Sequence, residues 1–107
     1  MNEPTRRTKL EAMLADDPQD VTLRYMLAME FDKDDENESS LALFNELRAE
    51  VPPYIPAFFM AAQQLARLDR IEESRAILRD GIEQARAQGD SHAAGEMSEF
   101  LQSLGRQ

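Results

Sequence analysis

The chain has 107 residues, 42% of them apolar and 31% charged, which is the composition of one soluble globular domain with a modest core. Its 21 acidic and 12 basic side chains give a formal charge of −9, which repels nucleic-acid phosphates and anionic membrane surfaces. Cysteine is absent, which excludes disulfides, thiol catalysis and thiolate metal sites, and no apolar run approaches the ~18 residues that span a bilayer. We therefore expect neither a nucleic acid nor a membrane as partner. The start of the chain lacks the apolar stretch of a secretory signal, so we expect a cytoplasmic location.

The first predicted helix covers about residues 5–15, where Leu10, Met13 and Leu14 recur at helical spacing. Pro18 follows it, and the residue before a proline is pushed out of the α region, so the helix ends there. The pattern predicts a short amphipathic helix ahead of the rest of the chain.

Two more helices are predicted over residues 20–31 and 37–50, with Asp20 as the N-cap of the first. The stretch between them is too polar to be anything but a surface turn. Asp35 and Glu38 lie three residues apart there, which predicts a variant of the capping box at the start of the second helix.

The next part of the chain repeats this pattern from residue 55 onwards. One helix begins near Ile55, and a second runs to about Gln88 with Gly89 as its C-terminal cap. Asp69 and Glu72 copy the Asp-x-x-Glu spacing of the earlier turn. The sequence thus predicts a second helical hairpin built like the first.

A last helix is predicted over residues 90–104, with Asp90 or Ser91 as its N-cap. Its apolar stripe consists of Ala93, Met97, Phe100, Leu101 and Leu104. Because its other face is polar, this helix is suited to close one end of the protein. The sequence as a whole predicts an all-α fold of six helices.

Residues 21–54 and 55–88 align with each other as two copies of one 34-residue repeat. The identical pairs under this shift are Met26 with Met60, Ala28 with Ala62, Asp35 with Asp69, Glu38 with Glu72, Ser40 with Ser74, and Ala42 with Ala76. A period of 34 residues is typical of helical repeat proteins.

This period and these residues resemble the tetratricopeptide repeat, whose signature runs Trp-x2-Leu-Gly-x2-Tyr, then Ala-x3-Phe, then Pro. In the first unit the matching positions hold Arg24, Leu27, Ala28, Phe31, Ser40, Phe44 and Pro52. In the second they hold Phe58, Ala61, Ala62, Leu65, Ser74 and Leu78, with Arg86 where the proline is expected. Arg24 departs from the signature because an aromatic residue belongs at its position.

The resemblance implies a right-handed stack of antiparallel helix pairs in a single domain covering residues 1–107. Its parts are a leading half-repeat at residues 5–17, repeats at 21–54 and 55–88, and a capping helix at 90–104. The family's general role is protein–protein binding, so the resemblance also implies an interaction module.

In that family the first helix of each pair faces a concave groove. By resemblance, the groove residues here are Thr22, Tyr25, Met26, Met29, Pro56, Phe59, Met60 and Gln63. Most are apolar and none belongs to the predicted core stripes, which indicates an adhesive surface for an apolar or amphipathic peptide. The alternatives are a homodimeric scaffold that uses the same surface without a separate ligand, and packing of these side chains inside the protein or against the last helix.

Arginines gather on the second repeat, at Arg67, Arg70, Arg75, Arg79 and Arg86. They could serve an acidic partner or a second copy of the chain, or they could be a solvated face neutralised by nearby glutamates.

No catalytic, cofactor or metal site is predicted. The acidic turn at residues 32–38 has neither the glycine nor the closing glutamate of a calcium loop. His92, the single histidine, has no nucleophile placed beside it by a readable turn, and the sequence contains no glycine-rich phosphate loop.

Overall fold

The computed structural model describes residues 4–105, which form six α-helices and no strand. The helices are α1 (Arg6–Asp16), α2 (Val21–Lys33), α3 (Asn37–Arg48), α4 (Ile55–Arg67), α5 (Ile71–Ala87) and α6 (Ser91–Leu104). The all-α class is confirmed, and most predicted helix ends lie within two residues of the observed ones.

The contacts within the chain divide it into two compact units that meet in sequence between Leu47 and Arg48. We call them unit 1, which contains α1, α2 and α3 as far as Leu47, and unit 2, which contains Arg48 at the end of α3 together with α4 to α6. Each unit is described by itself.

In unit 1, α1 lies antiparallel to α2. The guanidinium of Arg7, at the start of α1, lies 4.5 Å from the ring centroid of Phe31 near the end of α2. Beside it, Arg6 Nε lies 3.7 Å from Glu30 Oε1. Leu10 is the buried residue of α1, whereas the Met13 side chain, predicted on the same stripe, is 52% exposed.

In unit 2, both pairs of consecutive helices are antiparallel. Gln88, just after α5, donates from Nε2 to the carbonyl oxygen of Pro53, just before α4, at 2.8 Å. Arg75, near the start of α5, donates from Nη2 to the carbonyl oxygen of Leu104, the last residue of α6, at 2.9 Å.

The two repeated serines join the helices of each repeat. Ser40 Oγ donates to the carbonyl oxygen of Ala28 at 2.7 Å, and Ser74 Oγ donates to that of Ala62, also at 2.7 Å. All four residues are completely buried. Small side chains let the two helices of each repeat approach closely here, and the serines add a satisfied buried hydrogen bond.

Three helices of the chain end in the same backbone turn. The residue after the C-cap has a positive φ, namely 59° at Asp35, 62° at Asp69 and 76° at Gly89. The next residue then donates its N–H back to the helix, from Glu36 to Phe31, from Arg70 to Leu65 and from Asp90 to Ala85, at 2.8–2.9 Å. This is the Schellman motif, which satisfies carbonyl groups that a helix end leaves open.

The predicted capping boxes at Asp35 and Asp69 are therefore wrong. Glu36 and Arg70 occupy the positions just before α3 and α5, and Arg70 makes no side-chain cap bond. An N-cap residue needs extended dihedrals, and a residue in the left-handed region cannot provide them. Aspartate recurs because it tolerates that region better than most residues do. The caps predicted at Asp20 and Asp90 are confirmed by bonds to Leu23 N and Ala93 N.

Gly81 brings three helices of unit 2 together. A Cβ atom built on it would lie 2.7 Å from Met97 Sδ of α6 and 2.7 Å from Phe58 Cβ of α4. Gly81, Phe58 and Met97 are all buried. The missing side chain therefore allows α4 and α6 to contact α5 at one place.

Within residues 4–105, no helix has both the length and the apolar character needed to cross a membrane.

Candidate binding surfaces

The groove residues predicted on α2 share one face of that helix, which we call the α2 face. Thr22 is exposed, Tyr25 and Met26 are half-buried, and Met29 is 39% exposed. The Tyr25 ring also packs on Phe44 of α3, with centroids 5.9 Å apart and planes at 57°. Tyr25 thus packs partly inside the protein, in line with the packing alternative given for these side chains.

The corresponding residues of α4 form the α4 face. Pro56 is exposed, whereas Phe59, Met60 and Gln63 are half-buried. Phe59 packs against the core cluster of unit 2 and meets Phe100 of α6 edge-on, with centroids 5.8 Å apart. The expectation that Phe59 has no core role is wrong, because α6 lies against it.

Methionines contribute apolar surface to both faces, together with Tyr25, Phe59 and the exposed Pro56. Met26 and Met60 occupy the same place in the two repeats and are both half-buried, and Met29 reaches further into solvent. Unbranched thioether side chains adapt to partners of varied shape. Each unit thus presents a partly apolar face with at least one methionine on the first helix of its repeat.

Unit 1 also contains an open pocket of about 350 Å³ that was not predicted from the sequence. Its apolar wall comes from all three helices, through Leu14, Leu27 and Leu43. Its polar edge includes Arg24 of α2 and Glu46 of α3. The available signal was Arg24 itself, which stands where the repeat signature has an aromatic residue.

In unit 2, the repeat position equivalent to the edge of this pocket is occupied by a buried side chain of the unit itself. Phe58, which corresponds to Arg24, is 1% exposed, and the Arg48 guanidinium lies 5.6 Å from its ring centroid. Burial lowers the pKa of Arg48 from its ordinary value, against the opposing effect of the Asp80 carboxylate. In unit 2, a guanidinium, an aromatic ring and a carboxylate thus lie near one another at the repeat positions that line the pocket in unit 1.

The arginines of the second repeat are partly neutralised by neighbouring acids. Arg70 binds both carboxylate oxygens of Glu73, with Nε–Oε2 at 2.7 Å and Nη2–Oε1 at 2.8 Å. This contact lowers the pKa of Glu73 below its ordinary value. Arg75 pairs with Glu72 and also caps α6. For Arg70 and Arg75, these pairings favour a solvated and neutralised surface over a basic patch.

His92 lies on the surface with its side chain 87% exposed, and its Nε2 is 3.3 Å from Glu96 Oε1 one turn along α6. Among the residues that the structure describes, no group of three or more His, Cys, Asp or Glu side chains is placed to hold a metal ion.

Comparison with solved structures finds the solution structure of protein BPP2914 from Bordetella parapertussis, with a TM-score of 0.82 and 24% sequence identity. The match covers 99% of this chain and 90% of that one. At this identity the likeness concerns the fold alone. No protein-family model and no curated protein matches the chain.

Proposed function

We propose that the chain is a tetratricopeptide-type protein-interaction module that binds an apolar or amphipathic segment of another protein. The α2 face and the α4 face supply the contacts. In this proposal the chain consists of a leading half-repeat, two repeats and a capping helix, and it acts in the cytoplasm by binding rather than by catalysis.

The observation that carries the proposal is the pair Met26 and Met60. They are identical under the 34-residue shift, and both keep part of their apolar surface in contact with solvent. Most of the remaining identical residues have roles inside the repeat. Ser40 and Ser74 bond to backbone carbonyls, and Asp35 and Asp69 form turns. Binding a partner would use the apolar surface that Met26 and Met60 leave in contact with solvent.

The ring contacts decide which side chains should be tested. Removing Tyr25 or Phe59 would disturb the packing on Phe44 or Phe100, so lost binding could reflect lost structure. Met26 and Met60 are both partly in contact with solvent, and glutamine, which is similar to methionine in length, makes them polar with little change in volume.

The experiment is affinity capture from a cell extract with quantitative identification of the captured proteins. Three baits are compared: the wild type, the double variant Met26→Gln/Met60→Gln, and the control Met13→Gln. Met13 is an exposed methionine of α1 outside both faces. We expect the double variant to recover a specific partner about tenfold less well, as when hot-spot contacts are lost, and the control to recover it fully.

Circular dichroism must show that all three baits are equally folded. Equal recovery of every protein by the three baits would overturn the proposal. A captured partner is then cut into segments, and the binding segment is titrated by calorimetry against the same three proteins.

The homodimeric scaffold is tested on the same variants. Light scattering from micromolar to millimolar concentration would reveal a dimer of the wild type. If that dimer dissociates in the double variant and persists in Met13→Gln, the two faces serve self-association, and the proposal of a separate peptide ligand is wrong.

A further inference from the structure

The pocket of unit 1 and the filled place of unit 2 share an arginine and a carboxylate, with the arginine at different positions of the repeat. Under the 34-residue shift the pairs are Leu14 with Arg48, Arg24 with Phe58, and Glu46 with Asp80. In unit 2 the ring belongs to α4 and the guanidinium comes from the end of α3. In unit 1 the guanidinium belongs to α2, and a leucine stands at the end of α1. The pocket therefore has a cation and a carboxylate but lacks the aromatic ring.

The dimensions suit a ring. A pocket of about 350 Å³ is at the lower end of the range for ligand sites, and a cavity of about 150 Å³ can hold benzene. Leu14, Leu27 and Leu43 supply apolar surface for its faces, and the Arg24 guanidinium can stack on it. Among the described residues, the Arg7 guanidinium lies over the Phe31 ring and the Arg48 guanidinium over the Phe58 ring.

The net charge of unit 1 indicates which kind of residue should flank the aromatic side chain of a partner. The first 47 residues contain twelve acidic and five basic side chains, an excess of seven acids. Pro18 and Gln19 line the pocket and are flanked in sequence by Asp16, Asp17 and Asp20. An excess of negative charge on unit 1 attracts a cationic ligand, most strongly at low salt.

We infer that the pocket of unit 1 is a second docking site, which takes one aromatic side chain of a partner polypeptide flanked by basic residues. This site is distinct from the proposed binding faces. Arg24 lies two residues from Met26, and Leu27 two residues from Met29, which is about 200° around the helix. The pocket therefore opens on the side of α2 opposite the α2 face.

The first test uses wild-type protein with leucine methyl groups labelled for NMR. The probes are two capped tripeptides, Lys-Phe-Lys and Lys-Ala-Lys. We expect Lys-Phe-Lys to shift the methyl signals of Leu14, Leu27 and Leu43 saturably, with a dissociation constant on the order of millimolar, as suits one side chain and two charges. Lys-Ala-Lys should leave them unchanged. Equal shifts with both peptides, or none with either, would overturn the inference.

The second test fills the pocket with the residue of the other repeat. Arg24→Phe should abolish the shifts caused by Lys-Phe-Lys, and circular dichroism should show an intact fold. Thr22→Phe is the matched control, because it adds the same ring on the exposed α2 face. Persistence of binding in a folded Arg24→Phe variant would refute the site. If that variant does not fold, Leu27→Phe is used instead, because it narrows the pocket from its apolar wall. It too should abolish the shifts caused by Lys-Phe-Lys, and persistence of binding would refute the site.

Two further readouts separate this site from self-association and from the proposed faces. A shift of the same methyl signals on concentrating the protein without peptide would identify a second copy as the occupant and would overturn the inferred partner. The double variant Met26→Gln/Met60→Gln should bind Lys-Phe-Lys as the wild type does. Loss of binding there would mean that the peptide occupies the proposed faces and not the pocket.

Discussion

Ser40 and Ser74 occupy equivalent positions in the two units and donate the same 2.7 Å hydrogen bond to a backbone carbonyl. Arg24 and Phe58 also occupy equivalent positions, but their surroundings differ. Phe58 is buried at the centre of unit 2, and Arg24 lines an open pocket in unit 1. The repeat thus keeps the residues that hold its own two helices together. It varies at positions such as Arg24 and Phe58, where the surroundings of the two copies differ.

Leu47 and Gly81 show the same contrast. They are equivalent under the 34-residue shift and both are buried, yet one has a large side chain and the other has none. At Gly81 the backbone of α5 meets Phe58 and Met97 directly. The space available at a repeat position is therefore set by the helices around it.

The largest difference between the units should be in the free energy of unfolding lost when Arg24 or Phe58 is truncated to alanine. Phe58→Ala empties a filled core position and should lower the free energy of unfolding by about 3–5 kcal/mol. Arg24→Ala removes a side chain from a pocket edge and should cost about 1 kcal/mol or less. Urea unfolding followed by circular dichroism measures both, and similar losses would mean that the two positions are equally packed.

The next effect concerns the two glycines inside helices. Gly81→Ala should destabilise the protein by about 1–3 kcal/mol, because the overpacked methyl group outweighs the gain in helix propensity. Gly95→Ala in α6, where a Cβ meets no atom within 4 Å, should instead stabilise it by about 0.5–1 kcal/mol. The two substitutions should change the free energy of unfolding in opposite directions, which urea unfolding can measure. A stabilising Gly81→Ala would show that α5 has room there.

The aspartates with positive φ should give a smaller effect that is alike in both units. Asp35→Gly and Asp69→Gly should each raise the free energy of unfolding by about 0.5–1 kcal/mol, since glycine adopts this conformation without steric cost. Asp34→Gly is the control, because Asp34 has φ −87° and should gain nothing. Thermal unfolding compares the three. A gain at Asp34 equal to the others would mean that the positive φ is not the cause.

The smallest effect should come from Glu73, whose pKa is lowered mainly by its hydrogen bonds with Arg70. Because the folded pKa lies below the unfolded one, the stabilisation is present above the unfolded pKa and is lost as pH falls through the folded pKa. The pair is exposed, so its contribution should be slight. Carbon-13 NMR titration should give Glu73 a lower midpoint than in Arg70→Gln, and equal midpoints would contradict the pairing.

The helices could be predicted because their signals are local. Apolar spacing, Asp20 and Asp90 as caps, and Gly89 as a terminator each depend on a few neighbouring residues, and the structure confirms them. Asp35 and Asp69 were misread because aspartate serves both as an N-cap and as a residue of left-handed turns. Only the backbone dihedrals distinguish these roles.

The surfaces were harder to predict because they depend on which helices meet. Tyr25 and Phe59 follow the spacing of an outward face, yet each ring contacts an aromatic residue of another helix. Arg24 was visible as a departure from the repeat signature. That the departure leaves a pocket follows only from the positions of Leu14 and Leu43 on two other helices.

The contact of Gly81 with Phe58 and Met97 also bears on the dynamics of unit 2. Since one point joins all three helices, opening any one of them exposes buried surface on the others. The core amides of α4, α5 and α6 should therefore exchange with deuterium as a single foldon, with closely similar free energies of opening. Gly81→Ala should lower the protection of all three helices together.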